Sequence, residues 1–147
     1  MINKDTKITL GWLAGIIDGE GCIGLYNIRP KSPIIRPMIC IVNTNEKLIN
    51  EVKSILDFYS IIYYAYKYQN KNKAWKPSYR VNIQSKQDCK KLLDLVGDYL
   101  VIKKEQSNIV LEFINRKDYN YSEKILFLPN LIKDLNKKGQ YAFSNSI

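Results

Sequence analysis

The chain has 147 residues and no histidine. That one absence removes His-ligated zinc fingers, His-dependent triads and His–metal nucleases together, so any hydrolysis must run on carboxylates, amines, amides and a hard cation. Cysteine is scarce and odd in number. Cys22, Cys40 and Cys89 are isolated in sequence, which suits packing residues in a reducing compartment better than a disulfide framework. No run approaches 18 uncharged apolar residues, and Met1 to Lys7 is polar, without the apolar stretch of a signal peptide. The expectation is a soluble, intracellular, non-secreted chain, organellar or prokaryotic or from a phage. Low-complexity linkers and short-period repeats are missing too, and 147 residues with 46% apolar content suit one packed domain over 1–147.

What is abundant says more about origin than activity. Isoleucine, lysine, asparagine and tyrosine make up 65 residues, with 19 lysines against four arginines, the bias of an AT-rich genome. The distribution of charge is more informative. Windows 21–44 and 60–87 hold Arg29, Lys31, Arg36, Lys67, Lys71, Lys73, Lys76, Arg80 and Lys86 and no acid, and these nine bases equal the formal net charge of +9. The rest of the chain is balanced, so the positive field belongs to two stretches, and a polyanion is the natural partner.

Both windows read as β-hairpins. Ile23 and Leu25 alternate with Gly24 and Tyr26, Pro30 to Pro33 supplies a turn, and Ile39 and Ile41 alternate with Met38 and Cys40. In the second window Tyr63 to Gln69 and Tyr79 to Gln84 flank a polar turn; Tyr79, Val81 and Ile83 share one face, Arg80, Asn82 and Gln84 the other. By the same alternation Tyr64, Tyr66 and Tyr68 are expected in the core. Helical patterns follow each hairpin: Leu48 to Leu56 after an Asn-Thr-Asn cap signal, then Cys89 to Val96 after Ser85, with Asp88 placed as in a capping box. Ile102 to Ile114 and Ile125 to Leu135 are further amphipathic stretches, the last one interrupted by Pro129. The expected class is α+β, in the order αββαββα over about residues 8–114, with C-terminal helices over about 115–147.

The first helix carries a puzzle. Its apolar positions Leu10, Leu13, Ala14 and Ile17 are ordinary, yet it ends in Asp18 and Glu20, beside the negative end of its dipole, where a carboxylate costs roughly 0.3–1 kcal/mol. Gly11, Gly15 and Gly19 repeat every four residues next to Ala14, each costing about 1 kcal/mol of helix propensity. A stripe so bare serves close helix approach, either within the chain or between two copies. Two copies would gather two pairs of carboxylates with helix-end carbonyls, oxygen ligands suited to Mg²⁺ or Ca²⁺. An EF-hand loop is a weak alternative, because the remaining ligands do not follow.

"LAGIIDGEG", residues 13–21, resembles the signature of the LAGLIDADG homing endonucleases, with Gly19 and Glu20 standing for Ala and Asp. The resemblance implies a two-fold homodimer through Gly11, Ala14, Gly15, Asp18 and Gly19, and a metal site at Glu20 and the Gly19 carbonyl, taking Mg²⁺, with Mn²⁺ possible and Ca²⁺ a non-supporting substitute. It further implies catalytic support from Lys103 and a water-positioning residue at Asn43, or Thr44 if the register slips. Asp18 is assigned a structural hydrogen bond. The implied activity is a double-strand break across the minor groove of a long, roughly palindromic DNA duplex. Hairpin side chains would read the major groove: Tyr26, Ile28, Arg36, Met38, Lys67, Gln69, Arg80 and Asn82 at base edges, and Arg29, Lys31, Lys71 and Lys73 at phosphates. An intron RNA maturase, or a DNA-binding relative without cleavage, is the alternative.

Overall fold

The computed structural model describes residues 5–28, 34–116 and 128–137. Helix α1, Thr6–Glu20, starts where the Asp5 carboxylate accepts the Lys7 amide at 3.0 Å. Its stripe of Leu10, Leu13, Ala14 and Ile17 is buried, while Gly15, Gly19 and Glu20 stay exposed. Gly21 closes the helix by donating its amide to the Ile17 carbonyl, and the chain passes directly into strand β1, Gly21–Asn27.

Strand β2, Ile35–Asn43, returns antiparallel to β1, with Ile23 opposite Ile39 and Tyr26 opposite Arg36. The Ile28 amide donates to the Ile34 carbonyl at 3.0 Å as the hairpin closes. Helix α2, Glu46–Phe58, is capped by Asn45, whose side chain accepts the Leu48 amide at 3.4 Å. Strands β3, Tyr64–Tyr68, and β4, Ser78–Ile83, form the second hairpin. Helix α3, Lys86–Val96, begins with the capping pair the sequence suggests: Ser85 Oγ accepts the Asp88 amide at 3.0 Å and donates to the Asp88 carboxylate. Asp88 also accepts the Ile62 amide at 3.0 Å, which pins the segment leading into β3. A 3-10 turn, Gly97–Tyr99, leads to α4, Lys104–Asn115, and residues 128–137 form α5, with Pro129 near its described start.

The four strands make one antiparallel sheet in the order β1-β2-β4-β3. Alternation sends Ile23, Ile39, Ile41, Val81 and Ile83 to one face, where α1 to α4 cover them, and Ile17, Leu56, Leu92, Leu93, Phe113 and Ile132 complete a core with 2% exposure or less. Each such side chain contributes roughly 1.5–3 kcal/mol of burial. The opposite face carries the even-numbered residues of the strands. Among the described residues no helix is long and apolar enough to cross a membrane.

Candidate nucleic-acid interface and helix-end site

The open face is built by cross-strand registration. Cys22, Cys40, Asn82 and Tyr64 form one row, and Val42, Arg80 and Tyr66 the next; Gly24 faces Met38, Tyr26 faces Arg36, and Tyr68 faces Ser78. The expected reading positions Tyr26, Arg36, Met38, Arg80 and Asn82 therefore share one surface, with exposed Ile28 just past β1. Lys71 and Lys73 are exposed in the turn between β3 and β4, where Asn70 and Asn72 side chains accept the amides of Asn72 and Ala74. Arg29 and Lys31 lie outside the described residues.

Two expectations for β3 are corrected. Tyr64, Tyr66 and Tyr68 are not core residues; they are 63%, 46% and 46% exposed and stand on the open face. Lys67 points the other way, toward the helices, with its ammonium 5.8 Å from the Tyr79 ring centroid; Gln69 lies beyond the end of the strand, exposed. The reason is position. β3 is the sheet edge, and on the helix side only the small Ala65 stands opposite Val81, so the bulky aromatics go to the face that has room.

The tyrosines change the chemistry of that face. The Tyr68 ring lies 4.9 Å from the Arg80 guanidinium, which orders a side chain that would otherwise move freely. Beside them, Arg80 Nε and Asn82 Oδ1 are buried and have no hydrogen-bond partner among the described residues, a donor and an acceptor that only a rearrangement of this face would expose. Alternation over "YAYKY" was the available signal, and its phase was ambiguous because every residue of β3 is exposed.

The second part of the site is the end of α1. Asp18 uses its carboxylate inside the chain, accepting the amides of Val101 at 2.8 Å, Ile102 at 3.2 Å and Lys103 at 2.9 Å. These precede α4, so the acid satisfies orphan donors at a helix start, the structural hydrogen bonding expected of it. Lys103 sits at the N-cap of α4, where a cation is unfavourable, and its ammonium turns away to donate to the Asp18 carbonyl at the negative end of α1. Burial pushes the Lys103 pKa down, opposed by the nearby charges of Asp18, Cys22 and Glu20. The expected pair of Lys103 and Glu20 is thus together in space. Glu20 itself is exposed and makes no hydrogen bond or ion pair among the described residues.

The remaining positions divide. Asn43 ends β2 and uses its amide oxygen to accept the Asn45 amide at 2.7 Å, a turn bond that starts the α2 cap, while Thr44 is exposed. Among the described residues, a Cβ added at Gly11, Gly15 or Gly19 would meet nothing within 4 Å, so the bare stripe faces away from them. Exposed Ile8 and Trp12 lie on the same helix. Ala14 is corrected: it is fully buried in its own core and offers no surface to a second copy.

The structure thus presents an αββαββα unit with a basic, aromatic sheet face and an exposed acid beside a half-buried lysine. Residues 7–97 match the LAGLIDADG-like domain, and the chain belongs to that family. Among solved structures it is similar to the homing endonuclease I-CvuI in complex with its target, with a TM-score of 0.70 and 16% identity over 90% of this chain and 85% of that one. The archaeal intron-encoded homing endonuclease I-Vdi141I, complexed with DNA, gives 0.56 and 13% over 90% and 99%. The LAGLIDADG meganuclease I-AabMI, bound to uncleaved DNA, gives 0.58 and 18%, covering 78% of this chain but 40% of that one. At these identities the likeness is one of fold. Comparison with curated proteins finds no match.

Proposed function

We propose that the protein is a site-specific homing endonuclease that cuts both strands of a long, roughly palindromic DNA duplex by metal-dependent phosphodiester hydrolysis, working as a homodimer of one domain per chain. The observation that carries this reading is the uncommitted Glu20 beside Lys103, at the helix end from which the open sheet face begins. A protein that only bound nucleic acid would have no use for an exposed acid where the helix dipole opposes it.

The donor chemistry fits a hard cation. Glu20 and the Gly19 carbonyl are oxygen ligands, and they would hold Mg²⁺ or Mn²⁺. Among the described residues no group of three or more His, Cys, Asp or Glu comes together, so one chain supplies part of a coordination shell, and a second copy's helix end, the DNA phosphate and water would supply the rest. Such an ion provides polarisation of a phosphate oxygen and acidification of a water. Lys103 would stabilise the charge that develops on the phosphate, and Asn43 would orient water through the amide nitrogen its turn bond leaves over. Tyr26, Arg36, Met38, Arg80 and Asn82 would read base edges, with Lys71 and Lys73 on phosphates. The bare glycine stripe would meet its two-fold copy; that one chain spans only 40% of I-AabMI supports a single unit that needs a second.

The test is selection of cut sites from a randomised duplex library in Mg²⁺, with binding to the selected duplex measured in Ca²⁺. The parent is expected to cut and Glu20→Gln to bind without cutting. Full cutting by Glu20→Gln moves the metal elsewhere, and tight binding without cutting by the parent turns the reading to an RNA maturase or DNA-binding relative.

A further inference from the structure

Two of the three cysteines, 18 residues apart in sequence, are brought face to face by the first hairpin. Cys22 and Cys40 are directly opposed in the antiparallel register of β1 and β2, both on the open face and both half-buried, while Cys89 is fully buried and donates to the Ile83 carbonyl at 3.3 Å. We propose that Cys22 and Cys40 are an oxidative modification site, joined by peroxide in a reversible cross-strand disulfide.

The geometry comes from the ladder itself. Directly opposed residues of an antiparallel pair have Cα atoms roughly 4.5–5.5 Å apart, within the roughly 4.4–6.8 Å window of disulfides. Their Cβ atoms stand about 4.5–5.5 Å apart, against about 3.5–4.5 Å in a bond, so the strands close by less than about 1 Å. Both positions are only half-buried on the open face, so a bridge there stays accessible to thiol exchange. The surroundings leave room for the exchange. Cys22 Sγ is 3.5 Å from the Tyr26 hydroxyl and 3.8 Å from Asn136 Nδ2, weak contacts that a rotating thiol gives up at little cost. Tyr26 reaches that sulfur by folding back over Gly24, where a Cβ would stand 2.8 Å from its ring, so loss of the thiol frees a side chain on the open face.

The chemistry balances in two displacements. One thiolate attacks the peroxide O–O bond, giving a sulfenic acid and, after proton transfer, water; the second thiolate attacks the sulfenic sulfur, forming the S–S bond and expelling a second water. Two thiols and one hydrogen peroxide thus yield one disulfide and two waters. Dithiothreitol reverses it by thiol exchange.

The experiment counts free thiols in the purified full chain, denatured after brief exposure to hydrogen peroxide, with peptide mapping. Three thiols are expected to fall to one and return to three with dithiothreitol, with a cross-linked peptide joining positions 22 and 40. Cys22→Ser and Cys40→Ser are each expected to form no intramolecular bridge, with circular dichroism confirming that they fold. Persistence of three thiols, bridging between chains, or only irreversible oxidation of single sulfurs overturns the proposal. Because the count does not depend on nucleic acid, failure to bind DNA in either redox state would sink the function proposed above and leave this result standing.

Discussion

Substituting Gly15 separates a helix that faces solvent from one that faces its copy. In the isolated chain the outcome is simple: among the described residues nothing lies within 4 Å of a Cβ there, so Gly15→Ala removes a helix penalty of about 1 kcal/mol and is expected to stabilise the monomer by that amount. In a two-fold dimer each substitution appears twice at the contact. Overpacking of this kind costs about 1–3 kcal/mol per site, so association weakens by about 2 kcal/mol or more, roughly 30-fold in the dimer dissociation constant. The two effects have opposite signs and different dependence on concentration. Sedimentation of the parent, Gly15→Ala and Gly15→Leu, with urea unfolding at two protein concentrations, reads both. The expectation is a parent dimer, a weakened Gly15→Ala dimer whose monomer is more stable, and a monomeric Gly15→Leu. A parent that is monomeric free and on DNA, or a Gly15→Leu that dimerises as tightly as the parent, refutes the argument.

Lys103→Met is expected to slow cutting less than Glu20→Gln, because in the proposed mechanism the ammonium would support charge without holding the cation. Since burial lowers its pKa below the ordinary 10.5, the parent should lose rate as pH rises through a value under 10.5, a limb absent from Lys103→Met; the same limb in both proteins refutes the role. Replacing Lys71 and Lys73 with alanine should flatten the log–log salt dependence of DNA binding by about 1.8, and an affinity loss with unchanged slope would place them off the phosphates. Tyr68→Leu should cost about 0.5–1 kcal/mol and blur base preference at one position, whereas Tyr68→Phe keeps both and Arg80→Ala costs about 1–3 kcal/mol there; selected-site profiles unchanged by Tyr68→Leu would show that the ring does not position Arg80.

The helices were legible because their caps are local: Asn45, and Ser85 with Asp88, sit within four residues of the amides they satisfy. The first hairpin was legible because one of its faces is dry, so Ile23, Ile39 and Ile41 set the phase and Arg36 followed from it. At the edge strand β3 that signal vanished. All five residues are exposed, and what fixes the segment before them is the bond from the Ile62 amide to Asp88, 26 residues away. Ala14 failed for a different reason. Periodicity placed it correctly on the stripe of Leu10, Leu13 and Ile17; the interface role came from the resemblance, and it is Gly15, one position on, that faces out.

The two acids that end α1 take different roles because of how a helix turns. Successive residues rotate by about 100°, so Asp18 and Glu20 point to nearly opposite sides of one helix end. Asp18 meets the start of α4, where three amides and a favourable dipole offset the cost of its charge at the end of α1, and the same contact brings Lys103 back beside that end. Glu20 receives no such compensation among the described residues. An acid left without a partner, next to a lysine whose burial already disfavours its charge, is a site whose electrostatics are completed from outside the chain. On the proposed function, a hard cation with a phosphate would satisfy both groups at once. On that account the fold spends one acid on holding its own helices together so that the other can stand free at the edge of the open face.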